Sequence, residues 1–116
     1  MVHTLELANQ SALSGEMAPD FSLPSVQGSS VSLANYRQQS QVILWFSRGM
    51  TCNFCRGYMD NIIVHYDTLL DHGIEVIQIA PNLLESARRF FVEPPPYPFV
   101  CDPDKRLYAV YGMGDR

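Results

Sequence analysis

The pattern of apolar and polar residues predicts a strand, a helix and a second strand in the middle of the chain. Residues 41–46 (QVILWF) form a nearly continuous run of β-branched and aromatic residues, typical of a central strand covered on both faces. Residues 74–80 (IEVIQIA) alternate between apolar and polar and predict a second core strand. Between the strands, apolar residues recur at intervals of three and four, which predicts a helix over residues 52–71. Gly73 then lies where a left-handed C-cap is expected.

Shorter apolar stretches predict the elements on either side of this unit. Residues 18–33 indicate two short strands joined by a turn, and residues 34–37 a brief helical turn. Towards the C-terminus, residues 83–92 predict a helix, residues 99–101 a short strand and residues 105–113 a short helix. Strands that alternate with helices in this way favour parallel pairing through right-handed crossovers, so we expect an α/β fold.

The composition fits a single globular domain. The chain has 116 residues, of which 47% are hydrophobic and 17% charged. Residues 1–16 carry one short apolar run followed by polar residues. We therefore interpret residues 1–16 as an N-terminal lead-in and residues 17–116 as the domain.

Charge and hydropathy argue against several classes of partner. The formal net charge is −4, and the Lys and Arg residues are scattered, which is not typical of a protein that binds nucleic acid. No stretch approaches the roughly 20 apolar residues of a membrane span, and the first residues lack the features of a signal peptide. We therefore expect a cytoplasmic protein that binds neither nucleic acid nor membrane.

The feature that carries chemistry is a pair of cysteines, Cys52 and Cys55, at the start of the predicted helix. In an α/β sheet this junction lies at the carboxyl ends of the strands, where ligands bind. Cysteines with this spacing in a first helical turn share one face, and the free N–H groups of that turn stabilise a thiolate. We expect Arg48 and Arg56 to lower the thiolate pKa further, and Thr51 to cap the helix or to hydrogen-bond the sulfur. Thiol redox chemistry is the leading interpretation.

Two other interpretations of the cysteine pair remain open. The same spacing supplies half of a tetrahedral zinc site, and two inert buried thiols are a further alternative. Zinc needs more ligands, such as Cys101, His65 or His72, and the sequence offers no second compact ligand pair. We expect no metal and no organic cofactor. Cys101 itself ends an apolar stretch and precedes Asp102, which is typical of a buried thiol at a strand end.

Four stretches resemble the peroxiredoxin and redoxin branch of the thioredoxin superfamily, the alkyl hydroperoxide reductase and thiol-specific antioxidant type. They are residues 18–23 (APDFSL), residues 31–37 (VSLANYR), the VILWF strand with the cysteine motif, and residues 98–104 (PFVCDPD) running into Tyr111 and Gly112. The resemblance implies a thioredoxin-like fold. In this family a proline, a threonine or serine and the peroxidatic cysteine stand at fixed offsets. With Cys55 aligned as peroxidatic, Cys52 replaces the threonine and Arg48 the proline, so the chain is similar to the peroxiredoxin-like subgroup with a C-x-x-C motif.

The resemblance also implies an activity. It is that of a thiol-dependent oxidoreductase that reduces peroxides or disulfides through a Cys52/Cys55 dithiol–disulfide cycle, with a thioredoxin- or glutathione-type reductant. Alignment with peroxiredoxins favours Cys55 as the attacking thiol, whereas the logic of thioredoxins favours Cys52. Family members continue with a strand, a hairpin partner and a final helix, so we expect a C-terminally short domain and a homodimer that covers the sheet edge. A catalytically inactive binding module of the same fold is the alternative.

Overall fold

The computed structural model describes residues 2–3, 18–37, 39–48 and 53–112, with the backbone alone described at residues 2–3 and 53–55. Its strands are, in chain order, β1 (Val2–His3), β2 (Ser22–Pro24), β3 (Ser30–Ser32), β4 (Gln41–Phe46), β5 (Ile74–Ala80) and β6 (Phe99–Cys101). Its helices are α1 (Asn53–Asp71), α2 (Leu84–Phe90) and α3 (Arg106–Val110), and a 3₁₀ turn covers Leu33–Tyr36. The elements predicted between residues 18 and 113 are all present close to their predicted boundaries.

Parallel strands β4 and β5 form the centre of the sheet. They pair in continuous register from Gln41 opposite Ile74 to Phe46 opposite Ile79. Strand β6 continues the sheet beyond β5, and β1 lies beyond β4, both in parallel orientation. Strands β2 and β3 pair separately as an antiparallel hairpin. The predicted α/β fold with parallel central strands is confirmed.

Side chains of β5 alternate between two hydrophobic clusters, one on each face of the sheet. Val76 and Ala80 belong to the cluster packed against α1 and α2, whereas Ile77 and Ile79 belong to the cluster packed against α3 and the hairpin. Gln78, a polar position in the predicted alternation, is fully buried as well. Because both faces are covered, a polar side chain in this part of the strand needs partners inside the protein.

The apolar stripe of α1 is covered only in part. Met59 and Tyr66 are buried, whereas Tyr58 is 61% exposed and Leu70 is 43% exposed. All four belong to the apolar repeat of the helix, so that repeat predicts the helix but not which of its side chains are buried. Tyr58 borders an open groove beside β4 instead. Among the helices of the described residues, none has the length and apolar character needed to cross a membrane.

Two residues of the N-terminal lead-in belong to the sheet. Val2 pairs with Val42 and His3 with Ile43, in parallel orientation, at the edge of β4. The sequence did not predict a strand at this position. The other residues of the lead-in, and with them the predicted domain boundary at residue 17, lie outside the described residues.

Gly73 ends the turn after α1 in the left-handed conformation that the sequence predicted. Its φ is +76°, and its N–H donates to the Leu70 carbonyl at 2.9 Å. The Gly73 carbonyl accepts a hydrogen bond from the Gln41 N–H, also at 2.9 Å. The cap therefore connects the end of α1 to the starts of both central strands.

Replacing Gly73 with alanine is expected to lower the free energy of unfolding by about 1 kcal/mol, because an L-residue is strained at this positive φ. Beyond its chain neighbours, no heavy atom lies within 4 Å of the position of the new Cβ, so the effect is conformational rather than steric. Gly57→Ala is the matched control, because Gly57 lies inside α1 with equally open surroundings. Alanine there should raise the free energy of unfolding by about 0.5–1 kcal/mol. Urea unfolding measures both changes, and equal effects at the two positions would contradict the assigned cap.

Candidate active site

The chain leaves the sheet at the carboxyl end of β4 and enters α1 a few residues later. Ser47 extends the ladder, since its N–H donates to the Ile79 carbonyl at 2.9 Å. Arg48 follows in an exposed bend, and α1 begins at Asn53. The junction from β4 to α1 therefore starts at the carboxyl edge of the parallel sheet, where α/β proteins bind their ligands.

Of the predicted site residues, the structure places Arg48 and the backbone of Cys55. Arg48 is exposed at the bend after Ser47. Cys55 lies in the first turn of α1, where backbone N–H groups lack partners inside the helix. Thr51, Cys52 and the side chain of Cys55 lie outside the described residues. The pairing of the two cysteines and the roles of Thr51 and Arg48 therefore stay predictions.

The first turn of α1 carries a positive side chain, Arg56, and no negative one. The first turn of the helix contains no acidic residue, so no carboxylate there offsets the positive end of the helix dipole. Arg56 is exposed and holds its guanidinium 5.6 Å from the ring centroid of Phe90, the last residue of α2. This cation–π contact joins the start of α1 to the end of α2. The effect of Arg56 on the thiol pKa stays a prediction.

Buried polar side chains lie directly beneath the end of β4. The Ser47 hydroxyl donates to the Ile79 carbonyl at 2.9 Å and accepts from the Gln78 side-chain amide at 3.1 Å. The Gln78 side-chain carbonyl accepts from the Tyr97 hydroxyl at 2.8 Å. The Tyr108 hydroxyl lies 2.7 Å from the Ser47 carbonyl oxygen and 2.9 Å from the Ile79 carbonyl oxygen and shares its single proton between them. We call Ser47, Gln78, Tyr97 and Tyr108 the Ser47 cluster.

The sequence analysis did not identify the Ser47 cluster. The available signal was Gln78, a polar residue near the end of an otherwise apolar stretch of β5. Burial raises the pKa of Tyr97 well above its ordinary value, so the Tyr97 hydroxyl is protonated and donates. The partners of Gln78 come from segments far apart in the chain, and only the tertiary structure shows that they meet.

An apolar groove of about 560 Å³ lies between α1 and the sheet beside β4. Its lining combines apolar side chains with two polar ones: Ile43, Trp45, Tyr58, Asn61, Ile62, His65, Leu69 and Val76. The rings of Trp45 and Tyr58 meet edge to face, with 6.2 Å between their centroids. Tyr58 lies one helical turn after Cys55, so this end of the groove approaches the start of α1.

The third cysteine, Cys101, is a free, buried thiol at the end of β6. Its side chain is 1% exposed. Burial raises the pKa of this thiol to about 11, although the nearby charge of Arg88 acts in the opposite direction. The predicted buried strand-end thiol is confirmed.

The two histidines considered as zinc ligands lie on the exposed surface of α1 and of the turn after it. The Nδ1 atom of His65 is 3.0 Å from the Asn61 carbonyl oxygen, and that of His72 is 2.8 Å from the Thr68 carbonyl oxygen. Within the part of the chain that the structure describes, no group of three or more His, Cys, Asp or Glu side chains is arranged to hold a metal ion.

Sequence comparison matches this chain to the AhpC/TSA family over residues 14–116. Two Mycobacterium tuberculosis proteins, from strains CDC 1551 and H37Rv, carry the name "Putative peroxiredoxin" and are 28% identical to this chain over 103 residues. The similarity covers 84% of this chain and 62% of each relative. The chain therefore spans less than two thirds of the length of these curated relatives.

Solved structures of redox proteins share the fold. The yeast mitochondrial 1-Cys peroxiredoxin superposes with a TM-score of 0.75 at 16% identity, covering 85% of this chain and 50% of the other. A Chlorobium tepidum protein, named "putative Thiol:disulfide interchange protein DsbE", superposes with a TM-score of 0.71 at 28% identity, covering 88% of this chain and 74% of the other. The predicted thioredoxin-like fold is confirmed.

We expect Cys101 to resist alkylation in the native protein. With a pKa of about 11, only about 0.1% of this thiol is ionised at a pH of about 8, and labelling also requires the strand to open. Mass-resolved labelling with iodoacetamide should leave Cys101 unmodified under native conditions and modify it fully in denaturant. Native labelling of Cys101 as fast as in the denatured chain would contradict this assignment.

Proposed function

The chain belongs to the AhpC/TSA family, and from that premise we propose that it is a thiol-dependent oxidoreductase that reduces peroxides or disulfides. We propose Cys52 and Cys55 as the redox pair, with Thr51 and Arg48 beside them. The observation that carries the proposal is the position of Cys55, in the first turn of a helix that follows the carboxyl edge of a parallel sheet. The N-terminus of a helix stabilises a thiolate, and a thiolate is the nucleophile that the reaction needs.

The proposed reaction with a peroxide has two chemical steps. The Cys55 thiolate attacks one peroxide oxygen, the O–O bond breaks, and the departing oxygen takes up a proton and leaves as alcohol or water. Cys55 is then a sulfenic acid. The Cys52 thiol attacks its sulfur, water leaves, and a Cys52–Cys55 disulfide forms. Two thiols of a thioredoxin- or glutathione-type donor supply the two electrons that restore the reduced pair.

The same pair is suited to disulfide exchange, with Cys52 as the attacking thiol. Its thiolate displaces one sulfur of the substrate disulfide and forms a mixed disulfide, which Cys55 then resolves while the substrate leaves as a dithiol. The 28% identity to the Chlorobium protein, whose name describes thiol:disulfide interchange, supports this form of the reaction. The two forms differ in which cysteine attacks first.

A binding module without turnover is the second candidate function. The apolar groove beside β4 favours it, because exposed apolar surface of this kind marks interaction sites. Tyr58, on the wall of the groove, is 61% exposed. The two candidates differ in whether the thiols of Cys52 and Cys55 respond to an oxidant.

We propose residues 17–116 as the redox domain and a homodimer as its assembled form. Among the described residues, β1 pairs only with Val42 and Ile43, so the rest of that edge of β4 has no described partner strand. Open strand edges favour association with another chain. Light scattering should therefore give the mass of a dimer, and a monomer mass at working concentration would rule this assembly out.

A thiol titration after brief exposure to stoichiometric hydrogen peroxide tests the proposed redox pair. We expect two alkylatable thiols to disappear together in the intact chain, because one disulfide forms. In Cys52→Ser, a sulfenic acid should remain trapped at Cys55, and in Cys55→Ser neither thiol should react rapidly. The reverse pattern would assign the attack to Cys52.

Cys101→Ser is the matched control for this titration, since it removes a buried thiol that is outside the proposed pair. It should leave the rapid loss of two thiols unchanged. If all three thiols, counted by alkylation in denaturant, remain after peroxide and after a disulfide oxidant, the redox proposal is wrong and the binding module is favoured.

A further inference from the structure

Ser47 is the last described residue bonded into the sheet before the chain enters the cysteine motif. The register of β4 with β5 ends at Phe46, yet Ser47 remains fixed. Its N–H and its hydroxyl both donate to the Ile79 carbonyl, each at 2.9 Å. Its own carbonyl accepts from the Tyr108 hydroxyl at 2.7 Å. Both the backbone and the side chain of Ser47 are therefore held in place.

The groups that hold Ser47 reach it from both faces of the sheet. Tyr108 belongs to the hydrophobic cluster on the α3 face, and Tyr97 to the cluster on the α1 face. Tyr97 acts through Gln78, whose side-chain amide donates to the Ser47 hydroxyl at 3.1 Å. The two halves of the core thus converge on one residue at the start of the proposed active site.

Burying these polar groups costs free energy that an apolar side chain at position 78 avoids. The buried neighbours of Gln78 in β5 have apolar side chains. They pack into the same two clusters and bury no polar side-chain atom of their own. Proteins depart from apolar packing in this way chiefly at functional sites. The cost is consistent with a need to hold Ser47 in one position.

We propose that the Ser47 cluster positions the redox site, and that Tyr108 is its principal positioning residue. The Tyr108 hydroxyl fixes the Ser47 carbonyl and thereby the direction in which the chain leaves β4 towards Cys52 and Cys55. The inference rests on the proposed function of those cysteines. Backbone N–H groups stabilise a thiolate only at short range, so a displaced junction weakens that stabilisation.

The test is the pH dependence of alkylation in Tyr108→Phe, which removes the hydroxyl and keeps the ring. Iodoacetamide rates at Cys52 and Cys55 are measured by mass spectrometry across a range of pH values. We expect the apparent pKa of the more reactive thiol to rise by about 0.5, which lowers its alkylation rate below that pKa about threefold. A loss of packing around the Tyr108 ring alone would not shift the pH dependence of thiol alkylation.

Tyr111→Phe is the matched control. Tyr111 is buried, and its ring lies 5.3 Å from that of Phe46, much as the Tyr108 ring lies 5.1 Å from it. The Tyr111 hydroxyl donates to the Pro19 carbonyl at 2.6 Å, away from Ser47. This variant loses a buried hydroxyl of the same kind, and its thiol pH profile should match that of the intact chain.

Equal thiol pH profiles in Tyr108→Phe and Tyr111→Phe overturn the inference. If circular dichroism shows that Tyr108→Phe does not fold, Tyr97→Phe tests the same cluster from the other face of the sheet. An unchanged thiol pKa in Tyr97→Phe would then overturn the inference as well. Failure of the proposed function looks different. In that case neither Cys52 nor Cys55 of the intact chain has a pKa below the ordinary thiol value of about 8.5.

Discussion

The parallel pairing of β4 with β5 is the constraint on which the rest of the structure depends. Its register begins at the Gly73 cap and ends where Ser47 donates to the Ile79 carbonyl. A parallel pair must be covered on both faces, and here α1 and α2 cover one while α3 and the hairpin cover the other. The same pairing brings the carboxyl ends of the two strands to one edge, and in the sequence the cysteine motif follows the end of β4 within a few residues.

The polar groups at that edge hold the end of β4 more firmly than the strand ladder alone. The Ile79 carbonyl accepts hydrogen bonds from the N–H and the hydroxyl of Ser47, and the Tyr108 hydroxyl shares its single proton between this carbonyl and that of Ser47. Inside a protein such bonds are stronger than in water, and each unsatisfied group is correspondingly costly. A rigid strand end suits a site in which a thiolate must stay close to the free N–H groups of the next helix.

Apolar surface is distributed unevenly around α1. One side of the helix buries Met59 and Tyr66 in the core, while Tyr58 lies on the wall of an open groove with Trp45. The groove begins one helical turn after Cys55. A redox enzyme and a binding module both have a use for apolar surface next to that turn, so the chemistry of the thiols, rather than the shape of the groove, separates the two functions.

The sequence by itself determined the regular elements, the parallel α/β arrangement and the family resemblance, because hydrophobic periodicity and turn residues are local properties of the chain. It also located the cysteine motif at a strand-to-helix junction and predicted that Cys101 is buried. Only the tertiary structure showed that Gln78 is buried and that Tyr97 and Tyr108 converge on Ser47. It alone also showed that Tyr58 stays exposed and that Val2 joins the sheet. These features depend on which distant segments pack together, and long-range packing leaves no periodic signal in the sequence.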